Sequence, residues 1–488
     1  MNYNAGFFIG ILVFFGILLS PSPDALSIEA WRTLAVVFLM AIWWATEAIP
    51  LPATALLPLA LFPLLGVFGE GVLAKDAFQE AALPYAHSNI FLFLGGFVLA
   101  LAIERVNLHK RMALTMLLMV GNNGKLLIGG FMLVSALISM WIMNTSTTLM
   151  LLPIALAVTA VIQKTDKSLE ETEFTKFQTC LLLGIAYAAT IGGMSTIVGT
   201  GPNVLVVGLL LDEGIQIDFI DWMLFATPMS AIMLLVGWLI LTNVIFPVDF
   251  TSNKETGNAL KKMHSDLGKI SKDERLVFYI FLATAFAWMF KKVLVLIPGF
   301  EGLTDYGIAI LSALSLFIAR SSNGGGLIEW NVTKNLPWGV LILFGGGLSM
   351  AGQIKKTGLG DWIGSFFTTF SDISPVLLIL LVVVIVVFLT ELTSNQATTA
   401  TFVPIMFGVA MGIGFDKAQV AIPVALAASC AFMLPVATPP NAIVFGSGYL
   451  KMNDMVKTGL FMNIISIILI SIYIYFFLPL LWGIDIIN

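Results

Sequence analysis

Uncharged apolar runs long enough to cross a bilayer follow one another along nearly the whole chain. No Lys or Arg stands between Phe177 and Asn253, between Thr357 and Phe415, or between Ala418 and Leu450. About 20 apolar residues in a helix span the hydrocarbon core of a membrane, so such runs belong in one. The composition agrees: 58% of the residues are hydrophobic and 11% are charged, against roughly 25% charged in an ordinary soluble domain. Charge this sparse cannot clothe 488 residues for water. That excludes a soluble enzyme, a nucleic-acid binder and a disordered protein. The net charge of −5 says little about partners, because the charges sit in short loops. Cys180 and Cys430 both lie in apolar runs and read as small core residues, not as a disulfide framework. The run from Phe7 to Leu19 has no basic leader and no small-residue cleavage site, and reads as a first membrane helix.

The apolar spans fall at about 5–20, 29–48, 51–68, 88–119, 126–163, 177–211, 222–247, 276–297, 304–320, 338–356, 375–415, 418–450 and 458–482. Several exceed what one crossing needs and carry polar clusters in their middle. The polar stretch 249–275 holds six Lys/Arg and divides the chain into halves. The halves repeat each other. Residues 90–103 resemble 340–354, with Gly95-Gly96 matching Gly345-Gly346. The string Asn144-Thr145-Ser146-Thr147-Thr148 resembles Asn395-Gln396-Ala397-Thr398-Thr399. Each is followed at equal spacing by Pro153 or Pro404 and preceded five residues earlier by Ser139 or Thr390. Residues 199–206 resemble 437–444, matching Asn203 to Asn441. Three matched blocks in one order, each broken inside an apolar segment, point to a secondary transporter with its site at the repeat interface.

Backbone groups freed at membrane depth are tolerated only where they line a cavity or are buried in protein. Hydroxyls, amides and freed carbonyls supply hard oxygen ligands suited to Na⁺. Helix N-termini attract an anion. Because the segments that carry the clusters lack Lys and Arg, an anion held there would be met by helix ends, amides, hydroxyls and bound cations. Cation binding would then create the anion site, which is a mechanism of coupling.

These residues resemble the divalent-anion/sodium symporters, which include dicarboxylate, citrate and sulfate carriers. The resemblance covers nearly the whole chain. It is carried by WWATEAIPLPATALLPL (43–59), the two Asn clusters and SCAFMLPVATPPNAIVFGSG (429–448). It implies an all-α polytopic membrane protein of about 11 transmembrane helices with two re-entrant hairpins, built as an inverted repeat with scaffold and transport domains that work as an elevator. It also implies a homodimer in a cell membrane, in a bacterium the inner one. The scaffold would take residues 1–120 and 276–356, the transport domain 121–250 and 357–488, and residues 251–275 would be a cytoplasmic linker. Carried across, one Na⁺ site uses Ser139, Asn144 and Gly199, and the other uses Thr390, Ser394, Asn395 and Ala437. A small dicarboxylate would touch Asn144, Thr145, Thr200, Asn395, Gln396, Thr438 and Pro439. Two residues depart from the family. Met143 stands where a serine hydroxyl is expected, and Gln396 stands where threonine is expected. With the N-terminus and 249–275 inside, 17 of the 24 Lys/Arg lie on the inner side, in line with the positive-inside bias.

The expectation is therefore Na⁺-driven import of a C4-dicarboxylate such as succinate, malate or fumarate. A Na⁺-independent dicarboxylate exchanger remains open through Met143, as do sulfate and citrate as substrates. A channel fits poorly with the repeated breaks. An intramembrane hydrolase rests only on Gly358-Leu359-Gly360-Asp361, for which no partner aspartate is found. Glu391 is an acid inside an apolar run, either a proton carrier or a structural acid bonded at the hairpin. Glu47 reads as a residue between helices. His87, His109 and His264 lie at segment ends or in loops and read as solvated.

Overall fold

Helix ends are written into the sequence and decide where each apolar run stops. In the computed structural model, which describes residues 5–120, 123–165, 169–250, 254–322, 324–370 and 373–482, no β-strand occurs among the described residues. The first half holds α1 (Ala5–Leu19), α2 (Ile28–Thr46), α3 (Leu51–Thr54), α4 (Leu57–Leu65), α5 (Ala74–Ala82), α6 (Ser88–Arg105), α7 (Leu108–Leu117), α8 (Gly124–Ser139), α9 (Asn144–Thr165), α10 (Glu171–Gly193), α11 (Gly201–Asp212) and α12 (Phe219–Ile240). The charged stretch between the halves folds as α13 (Lys254–Asp266). The second half holds α14 (Lys272–Leu294), α15 (Asp305–Ile318), α16 (Trp338–Lys356), α17 (Leu359–Ser365), α18 (Pro375–Thr390), α19 (Asn395–Ile413), α20 (Lys417–Ala428), α21 (Pro439–Gly446) and α22 (Met452–Trp482). Among the described residues, 8 helices are long and apolar enough to cross a membrane, and shorter apolar helices accompany them.

Side-chain caps start many of these helices. Ser27 begins α2, Asn123 begins α8, and Ser271 with Glu274 closes a capping box at α14, each satisfying backbone N–H groups that the helix leaves free. At α12 the box is Asp218 with Asp221. Burial acts to raise the Asp218 carboxyl, but hydrogen bonds from Lys291 and Gln216 outweigh it and hold the group below the usual carboxylate range. The run 88–119 breaks where Asn107 adopts φ 57, the left-handed region that asparagine tolerates.

The helices α6 to α12 recur in order as α16 to α22. In each half a hairpin (α8–α9, α18–α19) is followed by a helix broken near its middle (α10–α11, α20–α21). The broken helices cross over: α11 packs on α19 of the other half, and α21 packs on α9. Every ion pair among the described residues joins two segments that the inverted arrangement places on one side of the membrane. His87–Asp212, Lys355–Glu213, Lys417–Glu213, Lys356–Glu80, Lys291–Asp218, Lys291–Asp305 and Lys292–Asp221 fall on the expected outer side. Arg105–Glu329 and Arg111–Glu274 fall on the inner side. Residues 121 and 251–253 lie outside the described residues, so the expected domain boundaries at 120/121 and 250/251 fall there, as does Lys167.

Three sequence features take a different meaning in three dimensions. Gly358-Leu359-Gly360-Asp361 belongs to a helix crossing. Gly358 caps α17 at φ 73, and Gly360 and Gly364 on α17 face Gly408 and Gly412 on α19, where backbones approach as in small-residue membrane interfaces. The double glycines serve the same end: a Cβ at Gly95 would meet the backbone of Ala309, and one at Gly346 the backbone of Ala55. His109 is not solvated. It lies buried in α7 with Nδ1 3.2 Å from the Ile103 carbonyl, because the turn at Asn107 folds α7 back toward α6. His87 is half-buried and caps α6, accepting from the Asn89 N–H at 3.3 Å. Cys180 and Cys430 are both free and buried in the core.

A Cβ at Gly412 would overlap the Gly364 carbonyl oxygen, a backbone atom that cannot swing aside, whereas one at Gly446 meets nothing within 4 Å. Gly412→Ala is expected to destabilise the protein by about 1–3 kcal/mol, and Gly446→Ala by no more than about 0.5 kcal/mol. Thermal unfolding of the two purified variants in detergent checks the difference.

Candidate functional site

The crossed hairpins and broken helices leave a cavity of about 710 Å³ between them and the α2, α3, α6 and α16 helices. Among the described lining residues the one charged side chain is Glu47; no Lys, Arg or His reaches the cavity. Glu47 is the left-handed C-cap of α2 (φ 46), so the position read as an interhelix residue faces the cavity.

The first hairpin turns through residues 140–143, and Asn144 opens α9. The Ser139 hydroxyl donates to Asn144 Oδ1 at 2.5 Å from behind, out of the cavity lining. The second hairpin repeats this arrangement, with Thr390 Oγ1 2.7 Å from Asn395 Oδ1 and 2.9 Å from the Ala428 carbonyl. Of the residues expected in the site, Asn144, Thr145, Gly199, Thr200, Ser394, Asn395, Gln396, Ala437, Thr438 and Pro439 line the cavity together; Ser139 and Thr390 stand one layer behind. Asn144 Oδ1 and the Gly199 carbonyl converge on the Cα of Gly193, where a Cβ would lie 2.6 and 3.0 Å from them.

At Met143 the cavity meets a thioether and no hydroxyl. Of the nearby hydroxyls, Thr148 donates to the Asn144 carbonyl at 2.9 Å. Thr147 Oγ1 is buried and unpartnered among the described residues, as is Thr200 Oγ1 at the cavity wall.

The helix breaks are shaped by side chains. Thr200 and Thr438 cap the second halves in nearly the same extended conformation (φ −140, ψ 151 and φ −142, ψ 149). Just inside each cap a buried asparagine ties the loop. Asn203 Nδ2 donates to the carbonyls of Gly193 (3.4 Å), Met194 (3.1 Å) and Thr196 (2.8 Å). Asn441 Nδ2 donates to those of Ala431 (3.2 Å) and Leu434 (3.1 Å). The matched asparagines thus hold the breaks and do not face the cavity.

Glu391 is engaged in the same way. It is buried, and its carboxylate accepts from the N–H groups of Phe432 (2.7 Å), Met433 (2.9 Å) and Leu434 (3.0 Å) and from Asn463 Nδ2 (2.7 Å). Every one of these donors is fixed, so the acid serves as a structural anchor of the loop before Ala437 and does not line the cavity. Sequence reasoning missed Thr190, Val198, Phe93 and Phe97 in the cavity wall; Val198, Phe93 and Phe97 are apolar residues in apolar runs and carry no mark of the face they present, and Thr190 is a lone hydroxyl outside the matched clusters.

Two hairpin tips and two broken helices that meet at one cavity bearing hydroxyl and amide groups, inside a bundle of membrane-length helices, define a multi-pass membrane transporter and not an enzyme. The family described as the transmembrane region of sodium:sulfate symporters matches residues 2–484. The sodium-dependent dicarboxylate transporter SdcS of Staphylococcus saprophyticus is 36% identical over 495 residues, covering 99% of this chain and 94% of that protein. The transporter of the same name from Staphylococcus aureus (strain bovine RF122) is 37% identical over 489 residues, covering 99% and 92%. The crystal structure of the YdaH transporter of Alcanivorax borkumensis shares the fold at a TM-score of 0.50 and 14% identity, over 79% of this chain and 87% of that one. The chain belongs to the sodium:sulfate symporter family.

Removing the Glu391 carboxylate would strand buried N–H donors, each charge-assisted bond contributing about 1.5–3 kcal/mol. Glu391→Ala is expected to lose most of its thermal stability, and Glu391→Gln, which keeps one acceptor oxygen, distinctly less. Unfolding midpoints of the two variants against wild type check this.

Proposed function

We propose that this protein imports small dianionic carboxylates, C4-dicarboxylates such as succinate, malate or fumarate, in symport with Na⁺ across the cell membrane, in a bacterium the inner membrane. The observation that carries the reading is the cavity itself: lined by the hydroxyls, amides and backbone of two hairpin tips and two helix breaks, and free of cationic side chains among its described lining residues. A dianion there needs positive charge from another source. Oxygen-rich pockets at the two hairpin tips supply it by holding Na⁺, and the N-terminal ends of the second half-helices add their partial charge. The Na⁺-dependent dicarboxylate transporters that resemble the chain over nearly its full length support the same substrate and ion.

In this reading Ser139, Asn144 and Gly199 serve one Na⁺, and Thr390, Ser394, Asn395 and Ala437 the other. Asn144, Thr145, Thr200, Asn395, Gln396, Thr438 and Pro439 hold the substrate. Thr147, with its free hydroxyl, stands in for the serine lost at Met143. The elements around the cavity, 121–250 and 357–488, move as one body against a scaffold of 1–120 and 276–356, which also forms the contact of a homodimer. Residues 251–275 link the halves on the cytoplasmic side.

Uptake of labelled succinate into proteoliposomes, with and without a Na⁺ gradient, tests the function. Asn395→Ala is expected to abolish uptake in folded protein. Met143→Ser is expected to lower the Na⁺ concentration for half-maximal uptake and Ser394→Ala to raise it, measured with choline keeping ionic strength constant. Uptake indifferent to Na⁺ but accelerated by internal dicarboxylate would replace symport with exchange.

A further inference from the structure

The two halves of the cavity differ at one pair of facing positions. The residue after each motif asparagine is Thr145 in the first half and Gln396 in the second; the residue after each loop threonine is Gly201 in the first and Pro439 in the second. α11 packs on α19 and α21 on α9, and position 396 faces 201; the repeat makes 145 and 439 the corresponding positions on the other side. One side thus sets a long amide against no side chain, and the other a short hydroxyl against a ring. The fit on the first side is close. A Cβ at Gly201 would overlap Gln396 Nε2 and lie 2.7 Å from both Cδ and Cγ, so the Gln396 side chain rests on the backbone of the first turn of α11. The amide makes no hydrogen bond among the described residues, although it lines the cavity. Beside it, Thr200 packs its methyl toward Gly193 and leaves its buried hydroxyl unpartnered.

We infer that Gln396, seated on Gly201, is the specificity-determining residue of the cavity. Its amide and the Thr200 hydroxyl are neutral donors for one carboxylate of the substrate, and its length narrows the first-half end, which favours a four-carbon dianion over a bulkier tricarboxylate. The inference rests on the dicarboxylate transport proposed above. Gly201 is the enabling residue: any side chain there drives Gln396 into the space the substrate occupies. Gly201 lies at an ordinary negative-φ helical start, so alanine there brings no backbone strain, and the three atoms nearest its Cβ all belong to Gln396.

The test is a double-mutant cycle in proteoliposomes with Gln396→Thr, Gly201→Ala and the double variant. Its readouts are the succinate KM at saturating Na⁺ and inhibition by citrate relative to unlabelled succinate. Gly201→Ala is expected to raise the succinate KM about tenfold. Adding Gln396→Thr should return the KM to that of Gln396→Thr alone, a rescue that a general structural defect at Gly201 would not give. Gln396→Thr should also improve relative citrate inhibition about tenfold. Additive KM effects with an unchanged citrate ratio overturn the inference and leave the transport function standing. Absence of Na⁺-driven succinate uptake in the wild type overturns both. Should Gly201→Ala not fold, the citrate ratio of Gln396→Thr decides alone.

Discussion

The structure depends on how two helices can be broken in an apolar interior. Each break strips intrahelical partners from several N–H and C=O groups, and a buried orphan costs free energy comparable to a lost hydrogen bond. Side chains take over the missing bonds. Asn203 and Asn441 collect the carbonyls before each break, Glu391 collects three N–H groups of the second, and Thr196 reaches across to the Met140 carbonyl at 2.5 Å to pin the first break to its hairpin. With those bonds made, the carbonyls at Gly199 and Ala437 and the caps Thr200 and Thr438 have no freedom to collapse, and the cavity stays open between them.

The crossing of the halves follows from the same constraint. A broken helix presents two ends to its neighbours, and neither hairpin alone can cover both. Each second half-helix therefore leans on the opposite hairpin, so that every wall of the cavity is shared by the two repeats. In the proposed mechanism this geometry couples the ligands. A Na⁺ at either tip lies against a motif asparagine that also faces the substrate, and the anion lacks any lysine or arginine that could hold it without Na⁺.

Much of this was legible in the chain. The lack of Lys and Arg along 177–253 and 357–415 fixed the membrane setting, and the equal spacing from Asn144 to Pro153 and from Asn395 to Pro404 exposed the repeat before any fold was known. The cavity residues were legible because polar residues at membrane depth must be there for a reason. What stayed hidden was of two kinds. Apolar wall residues such as Phe93 and Phe97 look like any lipid-facing or core residue in sequence. Residues whose role depends on a distant partner gave no local sign: the Gly360–Gly408 crossing imitated a protease string, His109 looked like a loop residue, and Glu391 was poised between carrier and anchor until its four donors were located.

The repeats are alike in backbone and unlike in chemistry, and the differences share a direction. Glu391, anchoring the second break, has Met140 at its repeat counterpart, and Ser394, capping the second hairpin helix, has Met143. The first half has thus lost an anchor and a hydroxyl where the second keeps both, while the first-half end of the cavity has gained Gln396 from across the interface. Duplication requires only that both halves fold, so the polar breaks and their asparagine clamps persist in both. Binding places no such symmetry on the cavity, since a dianion between two unequal ends is oriented by their difference. In the proposed mechanism the second half is therefore the better-built ion site and the first the more adaptable one, where a change of one side chain would reset what the cavity accepts without disturbing the bonds that keep it open.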